Sequence, residues 1–413
     1  MLLLPNHSNA LLDPAVVWAT AGRDVRFLAK STLFRGPLAP LVAGAGAIPV
    51  YRRGDPGAEV SRNTETFAAV DAALASGDVV CVFPEGISHS TGRLEPLRTG
   101  AARMALSAER AGTPVSLVPV GLNFERKTAF RSRSIVVYGP PFSCADLVGE
   151  EQGDPARGLT DRIASHMRQL LVEADPAGDA ALVERVDRLY TAARLAPSGA
   201  DEQLARRRVI AVGIEQLRAS DPQRYNDILL RLRRYDERLR RFGFRDKHLD
   251  WDLSAAQAVR FALRELALAA FLLPLSLAAL VVFAVPYRLT ALVARRATNE
   301  ADVAATAKVM GGALIYTAWL TSLGAAAWWL AGPGTALLLL AALVGVAIAG
   351  LFAIERETAV IDAVRAWMLL RRTGGSTRER LRRRRSELAD LLDDVGRWLA
   401  PNTEENGRKK SGV

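Results

Sequence analysis

Short apolar runs separated by turn residues fill the first third of the chain. Leu2–Leu4, Val25–Ala29, Ala47–Tyr51, Val79–Phe83, Ser116–Leu122 and Ile135–Tyr138 each read as a strand. Between them Pro14–Ala21, Ala58–Ala75 and Gly100–Ala111 carry apolar residues at helical spacing. Strand–helix alternation predicts an α/β domain over residues 1–147, a mostly parallel sheet flanked by helices, with functional groups at strand ends. From 148 to 260 the pattern becomes that of polar helices, with Val209–Leu217 and Ile228–Leu239 showing apolar stripes beside Arg-rich faces.

The last part differs again. Within residues 261–357 lie three apolar stretches, Leu266–Val285, Met310–Ala331 and Gly334–Ile354. Each approaches the roughly 20 residues that a membrane-crossing helix needs. Gly332-Pro333-Gly334 makes a very short turn, so the last two should form an antiparallel transmembrane hairpin. Pro274 and Pro286 interrupt and close the first stretch, which is expected to enter and return on one side, re-entrant or monotopic. Residues 358–413 form an Arg-rich tail, expected on the cytoplasmic side. The predicted fold is thus an α/β domain, then a helical region, then a C-terminal transmembrane helical part.

Composition agrees with a chain of mixed character. Half of the 413 residues are hydrophobic, yet 24% are charged, and the formal net charge is +10. A basic excess fits nucleic acid or an anionic membrane surface. The stretch Arg231–Arg241 mixes Asp236 and Glu237 with its arginines, and the apolar segments favour the membrane surface. No nucleic acid is expected as a partner. Two cysteines, Cys81 and Cys144, give neither a disulfide framework nor a zinc spacing, which fits a reducing compartment. Pro5-Asn6-His7 cuts the first apolar run too short for a signal peptide. An upstream start, or a missing N-terminal anchor, is compatible with a first strand that begins at Leu2.

Four places combine strand ends with unusual chemistry. His7 follows the first strand, and Asp13-Pro14 suits the cap and first turn of the next helix. A carboxylate there is within reach of the imidazole and can fix its tautomer; the alternative is that Asp13 only caps and His7 is a loop residue. Ile48–Val50 runs into Tyr51-Arg52-Arg53, two guanidiniums suited to a phosphate, or a solvated strand end. Phe83-Pro84-Glu85-Gly86-Ile87-Ser88-His89-Ser90 packs several hydrogen-bonding groups into one turn. Val118-Pro119-Val120-Gly121 places a proline in a strand, which points to an edge, a strand end or a special peptide. The motifs GxSxG, HExxH and GxxxxGK[ST] are absent.

In chain order, NHSNALLDP, IPVYRR, FPEGISHS and LVPVGL resemble the four blocks of the phospholipid/glycerol acyltransferase family, over about Leu2–Leu122. The family includes lysophosphatidate and glycerol-3-phosphate acyltransferases. The resemblance implies that His7 is the catalytic base and Asp13 its orienting partner. It implies that Arg52, with Arg53 as the fallback, binds the acceptor phosphate. It assigns Glu85 and Gly86 to the acceptor site and makes Pro84 and Pro119 donor-site or structural residues; His89 is in reach of phosphate, with a loop hydrogen bond as the role expected ahead of that. Five residues, rather than four, separate His7 from Asp13, which looks like the branch with fungal glycerol-3-phosphate/dihydroxyacetone-phosphate acyltransferases.

The resemblance implies an O-acyltransferase of phosphatidic acid and phospholipid synthesis. The expected co-substrate is acyl-CoA or acyl carrier protein carrying the acyl chain, with no metal and no cofactor. The acceptor is glycerol 3-phosphate or dihydroxyacetone phosphate, or alternatively lysophosphatidate or another lysophospholipid. A non-catalytic membrane lipid-binding scaffold is the rival. A multi-pass membrane protein is expected, with the catalytic domain on the cytoplasmic side, where a soluble donor is made, and anionic lipids against the basic tail.

Overall fold

All six apolar runs fold as strands: β1 (Leu2–Pro5), β2 (Val25–Lys30), β3 (Ile48–Val50), β4 (Val79–Cys81), β5 (Leu117–Phe124) and β6 (Ser134–Tyr138). They form one sheet in the order β3-β2-β4-β1-β5-β6. Its pairings are parallel except for the antiparallel β5–β6 pair at one edge. The computed structural model describes residues 1–35, 39–51, 60–89, 91, 93–125, 133–148, 153–173, 177–197, 199–246, 249–250, 255–297, 301–372 and 374–410.

The two-residue period of β1 sorts its leucines between the sheet's faces. Leu2 and Leu4 join a core with α3 (Asn63–Ala75), α4 (Gly100–Arg110) and α5 (Pro155–Arg168), through Val70, Leu74, Met104, Leu106, Leu159, Ile163 and Met167. Leu3 faces the other way, toward Val17 of α1 (Leu12–Thr20) and Val25, Cys81, Val118 and Val120. A short α2 (Ala39–Gly44) follows β2.

The sheet domain extends beyond the expected boundary at 147. Asp154 caps α5 through the N–H groups of Ala156 and Arg157, with Pro155 in the first turn. The apolar stripe of α5 then completes the sheet's core. The chain accordingly divides into a unit of Met1–Ala180 with Glu300–Thr306 and a unit of Ala181–Asn299 with Ala307–Val413.

Pro119 lies in an internal strand, not at an edge. Its carbonyl accepts the Gly139 N–H (2.9 Å) where the chain has already left β6. Its missing N–H therefore falls opposite the break in pairing between Gly139 and Phe142, beyond which Leu117 and Phe142 pair again.

In the second unit, α6 (Ala177–Arg194), α7 (Ala200–Ser220), α8 (Pro222–Arg241) and α12 (Gly374–Lys410) make a helical bundle. Leu189, Leu232, Tyr235, Leu239 and Leu249 bury against Leu381, Leu388 and Ala389 of α12. The Arg-rich tail is thus part of a folded bundle. Arg385 grips Asp250 with both Nη groups (2.7 and 2.6 Å), Arg378 and Arg382 donate to the Leu249 carbonyl, and Arg194 meets Asp390 and Asp393.

Three long helices complete this unit: α9 (Ala255–Ala297), α10 (Ala301–Ala331) and α11 (Pro333–Arg372). They contain three stretches long and apolar enough to cross a membrane: Leu273–Ala294, Lys308–Ala331 and Pro333–Phe352. Gly332, at φ +88°, turns the chain between the last two, and Gly324 lies against Leu340 across the turn. The stretch expected to turn back at Pro274 instead belongs to one unbroken helix, α9. At Pro286, expected to close the stretch, the Val282 carbonyl is left without its usual helical donor. The Trp319 indole N–H of α10 donates to that carbonyl (3.1 Å), so the proline is accommodated by its neighbour.

Candidate active site

The parallel strands β1, β3 and β4 all end on one edge of the sheet, where loops are free to carry chemistry. His7 follows β1. Its Nδ1 lies 3.0 Å from Asp13 Oδ2. A carboxylate only accepts, so Nδ1 carries the proton and Nε2 presents a lone pair. Nε2 has no hydrogen bond among the described residues, and the ring is 13% exposed. Phe83 of the neighbouring loop stacks on the ring, centroids 4.2 Å apart.

Asp13 is not the helix cap that its place before Pro14 suggests. Helix α1 already begins at Leu12, after a left-handed Ala10 (φ +31°). Asp13 sits in the first turn, fully buried, and its Oδ2 accepts from the N–H groups of Ser8 (2.6 Å) and Asn9 (2.7 Å) as well as from His7. The five-residue spacing thus closes a tight loop around one carboxylate oxygen. Oδ1 of Asp13 and Oγ of Ser8 are buried without a hydrogen-bond partner among the described residues.

The loop after β4 meets His7 from the other side. The Gly86 N–H donates to the Phe83 carbonyl (3.1 Å), with Pro84 at the second turn position and Gly86 at φ +79°. The turn drives Glu85 inward, where its side chain is wholly buried. Oε1 accepts the His7 backbone N–H (2.6 Å), and Oε2 accepts the Glu95 N–H (3.1 Å) and meets Nε2 of His89. The His89 N–H in turn donates to the His7 carbonyl (3.1 Å).

The structure therefore brings together His7, Asp13, Pro84, Glu85, Gly86 and His89. Arg52 and Arg53 lie outside the described residues. The chain on either side of them is tied together: Asn63 accepts the Tyr51 N–H (3.0 Å) and donates to the Tyr51 carbonyl (2.8 Å). Pro119 belongs to the β1–β5 ladder, paired with Leu4.

Sequence reasoning missed Asn6. Its buried amide accepts the Leu122 N–H (2.7 Å) and donates to the Leu122 carbonyl (3.2 Å), continuing the β1–β5 ladder with a side chain just before His7. The available signal was an amide directly after a fully apolar strand. Phe83, read only as a strand end, and the Ser8 and Asn9 amides gave no signal at all. Among the described residues no cluster of His, Cys, Asp and Glu is arranged to hold a metal ion.

Known proteins share this part of the chain. Residues 1–123 match the Acyltransferase family. Glycerol-3-phosphate O-acyltransferase 2 of Saccharomyces cerevisiae is 35% identical over 139 residues, covering 32% of this chain and 19% of its own length. Glycerol-3-phosphate O-acyltransferase 1 of the same yeast is 32% identical over 125 residues, 28% of this chain and 16% of its own length. An uncharacterized acyltransferase of Schizosaccharomyces pombe is 27% identical over 192 residues, 44% of this chain and 28% of its own length. The chain thus matches less than a third of the length of each relative. No solved structure matches.

Proposed function

Residues 1–123 carry a domain of the acyltransferase family, and from that premise we propose that the protein transfers a fatty acyl group from a thioester to a hydroxyl of glycerol 3-phosphate or dihydroxyacetone phosphate. The observation that carries the reading is His7, with Nδ1 held by Asp13 and Nε2 open at the carboxyl edge of the sheet. Nε2 takes the hydroxyl proton as the oxygen attacks the thioester carbonyl. The new C–O bond forms, the C–S bond breaks, and the imidazolium returns the proton to the departing thiolate. Asp13 stabilises the imidazolium in between. The phosphate is the task of Arg52, with Arg53 as the fallback, between the tied residues Tyr51 and Asn63. Leu11 at the start of α1, Trp18 on α1 and Ile87 on the Glu85 loop are apolar residues left exposed. The relatives' names favour glycerol 3-phosphate as acceptor.

The test is an acceptor panel with labelled oleoyl thioester, on coenzyme A and on acyl carrier protein, using the purified full chain in lipid. Label should pass to glycerol 3-phosphate or dihydroxyacetone phosphate and be lost in His7→Ala. Transfer only to lysophosphatidate moves the reaction one acylation later. Transfer to no acceptor, or transfer that survives His7→Ala, refutes the mechanism.

The three apolar helices support a membrane-associated enzyme, and the bundle supports a finer topology. Asp250, before α9, is ion-paired with Arg385, after α11. Two residues in one folded contact lie on one side of a membrane, so the number of complete crossings between them is even. The α10–α11 hairpin supplies two. An even count leaves α9, although one unbroken helix, as the stretch that adds no complete third crossing. The Arg-rich face of the bundle favours the cytoplasmic side, and a soluble donor favours the same side for the sheet domain. Single cysteines in intact cells test this: Gly332→Cys should react from outside and Ser376→Cys should not. The opposite pattern means three crossings.

A further inference from the structure

We infer that His89 and Glu85 form a positioning pair that clamps the backbone of His7, rather than part of the phosphate site. The inference rests on the functional reading above for what the clamp serves, but not for the clamp itself.

The geometry excludes a phosphate role in two ways. The Glu85 side chain is wholly buried and both of its oxygens are engaged, Oε1 by the His7 N–H and Oε2 by the Glu95 N–H and the His89 ring. A buried carboxylate at that point repels a second anion. The His89 ring has no donor to spare either, because Nε2 faces Glu85 and Nδ1 lies 2.7 Å from the Thr91 hydroxyl.

What the pair does reach is the peptide of His7. Glu85 takes its N–H at 2.6 Å, and the His89 N–H binds its carbonyl at 3.1 Å. Phe83, two residues before Glu85, covers the imidazole face. One loop therefore fixes residue 7 at its N–H, its C=O and its ring, while Asp13 fixes Nδ1. Burying the Glu85 carboxylate is unfavourable unless its hydrogen-bonding capacity is filled, and the His89 ring fills the share that the two backbone amides leave. Without that ring, Glu85 is drawn toward water and releases the His7 N–H. His89 thus acts on His7 through Glu85, as a positioning residue.

The experiment compares His89→Ala and His89→Gln in the full chain. Misplacing a catalytic group by about 1 Å costs about 10²-fold. His89→Ala should lower kcat by about that factor while the KM values of acceptor and thioester stay within about twofold. His89→Gln retains an N–H near the position of Nε2 and should recover kcat to within about tenfold of the parent. A second readout is independent of turnover: amide hydrogen exchange at His7 should be faster in His89→Ala and near parental in His89→Gln. A raised acceptor KM with kcat preserved would make His89 a phosphate ligand and overturn the proposal. Unchanged exchange at His7 in His89→Ala overturns it equally. If His89→Ala does not fold, Glu85→Gln replaces it: this change keeps an acceptor for the His7 N–H but loses the charge, and must give a smaller loss in kcat with the same KM pattern. A parent protein that transfers no acyl group defeats the functional reading alone, since the exchange measurement still decides the clamp.

Discussion

Replacing Asp13 with Asn removes a charge and puts an amide NH2 at the buried place of Oδ1, which has no hydrogen-bond partner among the described residues. Oδ2 of Asp13 accepts from His7 Nδ1 at 3.0 Å and from the Ser8 and Asn9 amides at 2.6 and 2.7 Å. An amide oxygen at the same place keeps all three partners. Hydrogen bonds to a charged group contribute about 1.5–3 kcal/mol, against about 1 kcal/mol for neutral ones. The folded state should therefore lose roughly 1 kcal/mol per bond, partly offset because a charge is no longer buried. The loss in rate is larger. A carboxylate about 4 Å from a cation stabilises it by about 4 kcal/mol at an effective dielectric of ~20. An imidazolium fully formed in the transition state would lose that amount, or about a thousandfold in kcat. The assay is labelled-product formation with the thioester at saturation, on protein whose circular dichroism melt is measured in the same lipid. A folded Asp13→Asn protein with kcat within about threefold of the parent would refute the charge-stabilised base.

Four further outcomes are expected. Asn6→Ala strands the N–H and C=O of Leu122 inside the sheet and should cost about 2–4 kcal/mol, read by denaturant unfolding of the sheet domain's signal. Gly121→Ala would place a methyl group 2.5 Å from the Leu170 carbonyl oxygen, so it should cost about 1–3 kcal/mol and lower the melting temperature. A thiol reagent at about pH 8 should label neither cysteine until the protein unfolds, because burial holds the Cys81 thiol well above its ordinary value and pushes Cys144 up to about 11. Both thiols are neutral in the folded chain, so their contribution to stability is whole below the ordinary thiol range and fades as pH rises through the folded values. Trp319→Phe leaves the Val282 carbonyl without its donor and should cost about 1–3 kcal/mol of α9–α10 association, measured as lost resistance to dissociation in detergent.

The sheet was legible because each strand is a short, mostly apolar run between turn residues, and all six formed within a few residues of expectation. The pairing of His7 with Asp13 was legible for the same reason, since both lie within one short connection. The work of that connection was hidden. Asp13 reads as a cap because Pro14 follows it, yet the Ser8 and Asn9 amides take its carboxylate instead of the helix. Backbone donors carry no signature in a sequence. Glu85 reads as a turn tip for a similar reason: only the sheet order, with β4 beside β1, turns that tip into a contact with residue 7. The fate of the basic tail was also hidden. Arg385 of the tail pairs with Asp250, and Asp390 and Asp393 of the tail pair with Arg194, and such pairs join residues far apart in the chain.

The position of β1 has a consequence for the order of events during synthesis. This strand lies between β4 and β5, and its ladder with β5 pairs Leu2–Pro5 with Leu117–Val120. The ribosome therefore makes the histidine-bearing strand well before either of its neighbours exists. At about 5–20 residues per second, roughly 6–22 s separate Pro5 from Leu117. Throughout that interval Leu2, Leu3 and Leu4 are an apolar strand lacking at least one neighbour, a template for wrong pairing. The nascent chain has a functional centre only when β5 arrives, so a helper that shields an emerging apolar segment would be needed on the residues that later frame His7 until that point.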